Sequence, residues 1–278
     1  MNISTTIRRI QLALAYVFLS LAGFFFLTPF LWMLSTSLKP DEELFAWPPV
    51  WIPSQLVWSH YPEALTYVPF FQYFTNTIVI TVLAVLGVLF SCPLVSYGIA
   101  RIPWKGAKVL FILTLIVMML PYQVTMIPIF IVFKNLGWVG TNIPLWLPAF
   151  FGAPFYIFLL RQFFLGLPKE LEDAARIDGA SEFRIYWQIM LPLTKPALLT
   201  IGLFQFMGSW TDYQGPLIYL SDESQYTIML GLQAFRTQHG AEWQMLMAAS
   251  LVVTLPVMIL YFLVQRVFIQ GITFSGLK

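Results

Sequence analysis

The side chains that could do chemistry are few in this sequence, because only 10% of its 278 residues are charged and 59% are hydrophobic. Five of the 13 acidic side chains lie in one stretch, residues 165–192, which we call the charged loop. The stretch reads LGLPKELEDAARIDGASEFRIYWQIMLP and separates two long apolar runs. Its carboxylates and guanidinium groups can form ion pairs and hydrogen bonds with a second surface. We therefore expect a docking element.

The order of residues in the charged loop predicts two short helices with a sharp break between them. Acidic residues follow Pro168 and Arg176 comes late, which suits the dipole of a first helix, and Gly179 supplies a left-handed cap. Ser181 can cap a second helix that continues to Pro192. Small residues at the turn would let another surface approach the backbone closely. An ordinary amphipathic loop is the alternative that spacing alone leaves open.

Catalytic and metal-binding patterns are absent from the sequence. No G-x-x-x-x-G-K-[ST] occurs, so we expect the chain itself to bind no ATP and no other cofactor. The two histidines, His60 and His239, fall in different predicted outer loops, which leaves no zinc site or Ser-His-Asp triad. The single Cys92 permits no disulfide within the chain. An enzyme is not expected.

The composition is that of a membrane protein. The mean hydropathy is +0.76, and a membrane-spanning helix needs about 20 apolar residues. The uncharged runs predict an all-α, polytopic chain that forms one transmembrane domain over residues 1–278. Its six spans are placed at about 11–37, 74–100, 109–133, 143–164, 196–220 and 244–266, with the charged loop between the fourth and the fifth.

The distribution of cations predicts the orientation. With the N-terminus inside, 12 of the 15 Lys and Arg residues face the cytoplasm. Both termini and the charged loop are therefore expected to be cytoplasmic. The net charge of +2 is explained by this orientation and gives no reason to expect a nucleic-acid partner. The apolar run after Arg8 and Arg9 is too long for a secretory signal, so we interpret it as a retained first span.

Prolines recur where the third and fourth spans are predicted, at Pro121, Pro128, Pro148 and Pro154. Proline frees a backbone carbonyl, and lipid cannot satisfy such a group. The breaks therefore favour helices that pack on protein or line a wet cavity.

The segment E-D-A-A-R-I-D-G-A-S, followed by Ile189, Leu191-Pro192 and Pro196, resembles the EAA loop of membrane subunits of binding-protein-dependent ABC importers. Other segments resemble the maltose-type, carbohydrate branch of that family. They are LPYQVTMIPIF from Leu120, LLRQFF from Leu159, WTDY from Trp210 and GIT from Gly271. The resemblance extends from Phe30 onward. One departure from the family's pattern is Asp173, whose side chain is one methylene shorter than the glutamate that the family has at this position.

The resemblance implies a pore subunit of an ATP-driven importer in the bacterial cytoplasmic membrane. In that family the loop forms coupling helices that dock on an ATPase. It also implies a second, different permease subunit, two ATPase subunits that carry ATP and Mg, an extracellular or periplasmic solute-binding protein, and a sugar, oligosaccharide or polyol as substrate. The coupling residues would be Glu172, Asp173, Ala174, Ala175, Asp178, Gly179 and Ala180.

Asp212 is the acid inside an apolar span, and it lies 17 residues beyond Lys195. At the rise of an α-helix, this separation corresponds to about 25 Å along the helix axis. That distance places it near the outer edge of the hydrocarbon layer. Trp210 and Tyr213 could stack on a sugar while Asp212 accepts hydrogen bonds from hydroxyl groups. An outer gate without substrate contact and an interfacial acid held by water are the alternatives.

Two other classes of protein stay open from the residues alone. An ion-coupled secondary transporter usually needs ionisable groups near the midplane of the membrane. Asp212 is too close to the membrane surface for that role. A structural or assembly protein would not need helices that are broken by proline.

Overall fold

The computed structural model describes the backbone of residues 3–237 and 240–275, and the side chains of residues 8–236 and 241–265. The described chain is predominantly α-helical, which confirms the predicted class. In chain order the helices are α1 Ile3–Ser37, α2 His60–Tyr67, α3 Phe70–Ala100, α4 Ala107–Met119, α5 Tyr122–Asn135, α6 Ile143–Trp146, α7 Pro154–Leu165, α8 Glu170–Ile177, α9 Glu182–Ile185, α10 Leu191–Leu193, α11 Lys195–Trp210, α12 Gln214–Tyr219, α13 Ile228–Gly231 and α14 Trp243–Ser275.

Short elements connect these helices. Four 3₁₀ turns occupy Asp41–Glu43, Leu147–Phe151, Glu223–Gln225 and Leu232–Phe235 of the described chain, and one π-helical turn joins α9 to α10 at Tyr186–Met190. Strand β1, Arg236–Thr237, pairs antiparallel with strand β2, Gly240–Ala241.

Several helices are long and apolar enough to cross a membrane. Within the described residues four qualify alone, namely Arg8–Ser37, Phe70–Ala100, Ile143–Leu165 and Trp243–Gln265. Two bent pairs bring the number to at most six: α4 with α5, bent by 105°, and Glu182–Leu193 with α11, bent by 75°. The polytopic architecture is thus confirmed, and the six predicted spans equal the upper limit.

The third and fifth predicted spans are not continuous helices. The one expected over residues 109–133 breaks between α4 and α5, because Pro121 lacks an N–H donor and holds the preceding Leu120 in an extended conformation with ψ 121°. The span expected over residues 196–220 ends as α11 at Trp210, and α12 resumes after three residues. Both breaks lie next to a cavity that is described below.

The chain divides into two compact units, Met1–Val68 with Leu232–Leu255, and Pro69–Gly231 with Pro256–Lys278. In the first unit, the ammonium group of Lys39 lies 3.8 Å from the centre of the Trp32 ring. The Gln244 side chain donates a 2.7 Å hydrogen bond to Asp41. The Gln244–Asp41 hydrogen bond joins the segment that follows α1 to the start of α14.

The second unit is built around α3. Small residues let the broken segment before α7 approach this helix, since a Cβ added at Gly87 would lie 3.0 Å from the backbone of Ala149. The Ser91 hydroxyl lies 2.8 Å from the Ala149 carbonyl, and the Ser96 hydroxyl donates a 3.0 Å hydrogen bond to the Ile157 carbonyl. Polar side chains of α3 therefore satisfy carbonyl groups next to the proline breaks, as expected for helices that pack on protein.

The N-terminal end of α3 holds the segment between α12 and α13. The Tyr73 hydroxyl donates a 2.7 Å hydrogen bond to the Glu223 carboxylate. The Thr77 hydroxyl donates to the Tyr73 carbonyl at 2.8 Å and accepts from the Ile228 N–H at 2.9 Å. This part of the predicted outer loop is therefore fixed to α3.

Some sequence predictions fall outside the described part of the chain. His239 and Lys278 lie outside the described residues, and the side chains of Arg266 and of the GIT segment from Gly271 are not among those described.

Candidate functional sites: the charged loop and a polar cavity

The charged loop folds as two helices around a tight turn. Helix α8 has acidic residues in its first turn and Arg176 in its last, and it ends at Ile177, two residues before Gly179, whose φ is +77°. The Gly179 N–H bonds to the Arg176 carbonyl and the Ala180 N–H bonds to the Ala175 carbonyl, which is a Schellman motif. Ser181 then accepts a 3.3 Å hydrogen bond from the Arg184 N–H and caps α9. The predicted helix, turn and cap are confirmed.

One face of the charged loop packs into the core of the second unit. Ala175, Ile185, Tyr186 and Met190 are buried and pack against residues of α3 and α7. The ring of Tyr186 lies 5.2 Å from that of Tyr97 in α3. The charged loop therefore packs directly against α3 and α7.

A network of charges joins the loop to the C-terminal end of α3. Glu172 is only 3% exposed, and its Oε1 lies 3.4 Å from Nε of Arg101. Arg176 contacts Glu182 at 2.8 Å and Asp173 at 3.0 Å. We expected the Glu172 carboxylate to face a partner, but the structure directs it inward to Arg101. No local sequence signal near Glu172 pointed to Arg101, which lies 71 residues earlier in the chain.

The buried Glu172 and the half-buried Glu182 of this network experience opposite effects. Burial raises the pKa of Glu172 above its usual range, although the neighbouring Arg101 and Arg176 act against the rise. The hydrogen bond from Arg176 lowers the pKa of Glu182. Glu182 is therefore the more firmly ionised partner of Arg176.

The opposite face of the loop is exposed and partly apolar. Of the small residues expected at a docking surface, Ala174 and Gly179 are exposed together with Asp173 and Asp178, whereas Ala175 is buried and Ala180 is half-buried. Large apolar side chains that sequence reasoning did not single out are exposed in the same loop. Those with the largest exposed fractions are Ile177 at 87%, Phe183 at 69% and Trp187 at 60%.

These three side chains, together with Ala174 and Gly179, define what we call the exposed loop face. Exposed apolar groups around a polar turn are typical of surfaces that bind another protein.

A second candidate site is a cavity of about 440 Å³ where both helix breaks meet. Its described lining comes from α5, from the segment around α6, from Asp212 between α11 and α12, and from α12 itself. The lining residues are Tyr122, Ile129, Phe133, Pro144, Leu145, Pro148, Asp212, Gln214, Gly215 and Tyr219. The volume lies within the range of small-molecule sites.

The structure places one of the three residues predicted for a substrate pathway at this cavity. Asp212 lines it, and its Oδ1 accepts a 2.9 Å hydrogen bond from the Gly215 N–H. Trp210 is 2% exposed and stacks on Phe206 with ring centres 5.4 Å apart, so it lies in the core. Tyr213 is half-buried and does not belong to the lining.

Sequence reasoning missed Tyr122, Gln214 and Tyr219 as lining residues. The break at Leu120-Pro121 was the available signal for Tyr122, since the residue that follows a break at membrane depth must face protein or water. The described residues bring no three His, Cys, Asp or Glu side chains together as metal ligands.

Solved structures of similar architecture are transport proteins. A bacterial ABC transporter involved in the import of the acidic polysaccharide alginate matches 96% of this chain and 98% of its own, with a TM-score of 0.79 and 25% identity. A bacterial alginate ABC transporter in complex with a periplasmic protein that holds an alginate pentasaccharide matches with a TM-score of 0.65 and 14% identity. The fold is that of an ABC importer permease.

The chain belongs to the family described as binding-protein-dependent transport system inner membrane component, whose model matches residues 93–274. The arabinooligosaccharides transport system permease proteins of Halalkalibacterium halodurans and Bacillus subtilis are 35% and 34% identical to it. The alignments cover 96% and 98% of this chain, and 95% and 97% of the lengths of these two proteins. A diacetylchitobiose uptake system permease protein of Streptomyces coelicolor is 30% identical over 90% of this chain and 91% of its own. The family and these relatives make this chain a permease subunit and not an enzyme, which confirms the prediction.

Proposed function

We propose that this chain forms half of the pathway by which an ABC importer carries a neutral oligosaccharide, and that the charged loop couples it to an ATPase. Coupling is supported by the exposed loop face, since Ile177 and Phe183 flank a turn with no side chain at Gly179. Apolar groups that are largely exposed at a turn gain free energy when a partner covers them.

In the proposed assembly this chain has four kinds of partner. A second, different permease subunit completes the pathway, two ATPase subunits bind ATP and Mg, a solute-binding protein delivers the substrate, and lipid surrounds the spans. This chain binds no cofactor itself. The family supports a binding-protein-dependent system, and the second permease and the ATPases are the usual partners of such a subunit.

The deciding experiment uses the complex isolated from its host with all its subunits. Reconstituted in proteoliposomes, it should show ATP hydrolysis that rises when the loaded binding protein is added. Uptake driven by an imposed proton or sodium gradient without ATP would instead indicate a secondary transporter. A complex that moves no solute under either condition would indicate an assembly protein.

The cavity at the helix breaks supports the choice of a neutral substrate. Among the described residues that line it there is one carboxylate, Asp212, and no cation. A carboxylate accepts hydrogen bonds from sugar hydroxyls and repels an anionic sugar. The relatives named for arabino-oligosaccharides and diacetylchitobiose transport fit this chemistry better than the importer of acidic alginate.

A pair of substitutions at Asp212 separates substrate contact from a structural role. Asp212→Asn keeps an oxygen that can accept from the Gly215 N–H but removes the charge, so transport should require roughly tenfold more substrate while membrane levels stay normal. Asp212→Ala also removes the acceptor and should reduce the amount of folded protein. Uptake of labelled oligosaccharide measures the first effect and immunoblotting of membranes the second. Unchanged apparent affinity in Asp212→Asn would remove Asp212 from the substrate pathway.

The proposed orientation places the charged loop in the cytoplasm and the segment between α12 and α13 outside. Cysteines introduced at Ser181 and Ser224, both exposed, should therefore react with a membrane-impermeant thiol reagent from opposite sides. The cation distribution is the reason for this expectation. Replacement of the buried Cys92 by Ser provides the unlabelled background. Labelling of both positions from one side would contradict the arrangement of spans.

A further inference from the structure

The C-terminal end of α3 is joined to the charged loop by a buried pair of charges. Arg101 directly follows α3, and only 2% of its side chain is exposed. Its Nε lies 3.4 Å from Oε1 of Glu172, and one of its terminal nitrogens donates a hydrogen bond to the Leu167 carbonyl. A single guanidinium therefore contacts both the first helix of the loop and the segment that leads into it.

The two charges depend on each other. Nε of Arg101 and Oε1 of Glu172 are buried and make no hydrogen bond with any described group, so the charge attraction between them across 3.4 Å is what compensates these two atoms. A buried charge that loses its partner is strongly unfavourable. Glu172 also lies 3.9 Å from Arg176, but Arg101 makes no other ion pair among the described residues. If α8 is displaced, Arg101 must therefore follow Glu172 or leave its own charge without an ion-pair partner.

The surrounding space permits movement of the pair. A polar cavity of about 550 Å³ borders Arg101 and Glu172, with Lys169, Arg176 and Glu182 also in its lining. The apolar contact between the loop and α3 is less selective, because packed rings can slide while keeping contact. The ion pair, in contrast, specifies one partner atom.

We propose that Arg101 is a positioning residue that makes α3 and α8 move as one body, so that a displacement of the charged loop is carried through the Arg101–Glu172 ion pair into the core helix of the pathway. This inference rests on the proposed coupling function of the loop. Helix α3 is suited to the task, because Val88 and Cys92 in its middle are fully buried among the helices of the second unit. Movement of α3 therefore displaces its neighbours.

The test compares four variants in the full complex, isolated with its ATPase and binding protein and reconstituted in proteoliposomes. Arg101→Gln and Glu172→Gln remove one charge each but keep polar groups of similar size. Arg101→Lys keeps the charge. Lys105→Gln is the matched control, since Lys105 is an exposed cation four residues further along with no ion pair among the described contacts.

Arg101→Gln and Glu172→Gln should co-purify with the ATPase in wild-type amounts, while ATP hydrolysis stimulated by the binding protein falls about tenfold, which is typical for loss of coupling between two sites. Arg101→Lys should keep a substantial part of the stimulation, and Lys105→Gln should match the wild type. A merely structural role would lower the amount of complex and leave the stimulation of the remaining complex intact.

Three results would overturn the inference: wild-type stimulation in Arg101→Gln, loss of ATPase co-purification in that variant, or an Arg101→Lys variant as defective as Arg101→Gln. If Arg101→Gln fails to accumulate in the membrane, Glu172→Gln decides by the same criteria, because it leaves α3 unchanged. The proposed coupling function is tested separately by substitutions on the exposed loop face, so the two ideas can fail independently.

Discussion

Gly179→Val should abolish coupling to the ATPase while leaving the chain inserted in the membrane. At φ +77° a β-branched side chain costs roughly 1–2 kcal/mol of strain. A Cβ at this position would meet no atom of the described chain within 4 Å, so the remaining harm must arise at the partner surface. The measurement is paired: the amount of variant in membranes, and the amount of ATPase that co-purifies with it.

The matched control for this substitution is Gly137→Val. Gly137 has φ +70°, and it too has open space around a Cβ, so the backbone strain is equivalent. It follows α5 and is predicted to face the opposite side of the membrane from the charged loop. Gly137→Val should therefore keep the ATPase. Wild-type transport by Gly179→Val, or equal loss of ATPase in both variants, would remove the charged loop from the docking site.

Ile177→Asp should weaken binding of the ATPase without weakening the fold. Ile177 is 87% exposed, so the substitution removes no buried contact in this chain. If it is a central contact of the docking surface, its loss costs about 2 kcal/mol or more of binding free energy, which is roughly a 30-fold loss of affinity. Titration of purified ATPase against the membrane complex in detergent would measure this loss.

Ile52→Asp is the control for Ile177→Asp. Ile52 is 85% exposed in the loop between α1 and α2, which is predicted to lie outside the cell. The same change in polarity there should leave ATPase affinity unchanged. If the Ile177→Asp variant binds the ATPase as tightly as the wild type, the exposed loop face is not the surface on which the ATPase docks.

The sequence was most informative where a feature is local. The Gly179 turn and the Ser181 cap could be predicted, because each depends on a few neighbouring residues and on backbone preferences that tertiary contacts did not override. The number of apolar runs likewise gave the class of protein. These features were confirmed with little adjustment.

Features that depend on distant parts of the chain could not be predicted. The inward direction of Glu172 is set by Arg101, and helical spacing does not specify a partner on another helix. Trp210 was expected in the pathway because of its type, but its neighbours Phe206 and Phe74 place it in the core. The break before Tyr122 was visible as a proline, whereas the 105° angle depends on packing.

The side-chain hydroxyls of α3 have a consequence for how this helix is inserted into the membrane during synthesis. Ser91 lies 2.8 Å from the Gly87 carbonyl of its own helix as well as from the Ala149 carbonyl, and Thr77 donates to its own helix while it accepts from the Ile228 N–H. Helix α3 can therefore enter lipid during synthesis with these hydroxyls already bonded internally. The Ala149 carbonyl, synthesised 58 residues after Ser91, then shares the Ser91 hydrogen with the Gly87 carbonyl, and the Ile228 N–H, synthesised 151 residues after Thr77, bonds to a lone pair of the Thr77 hydroxyl.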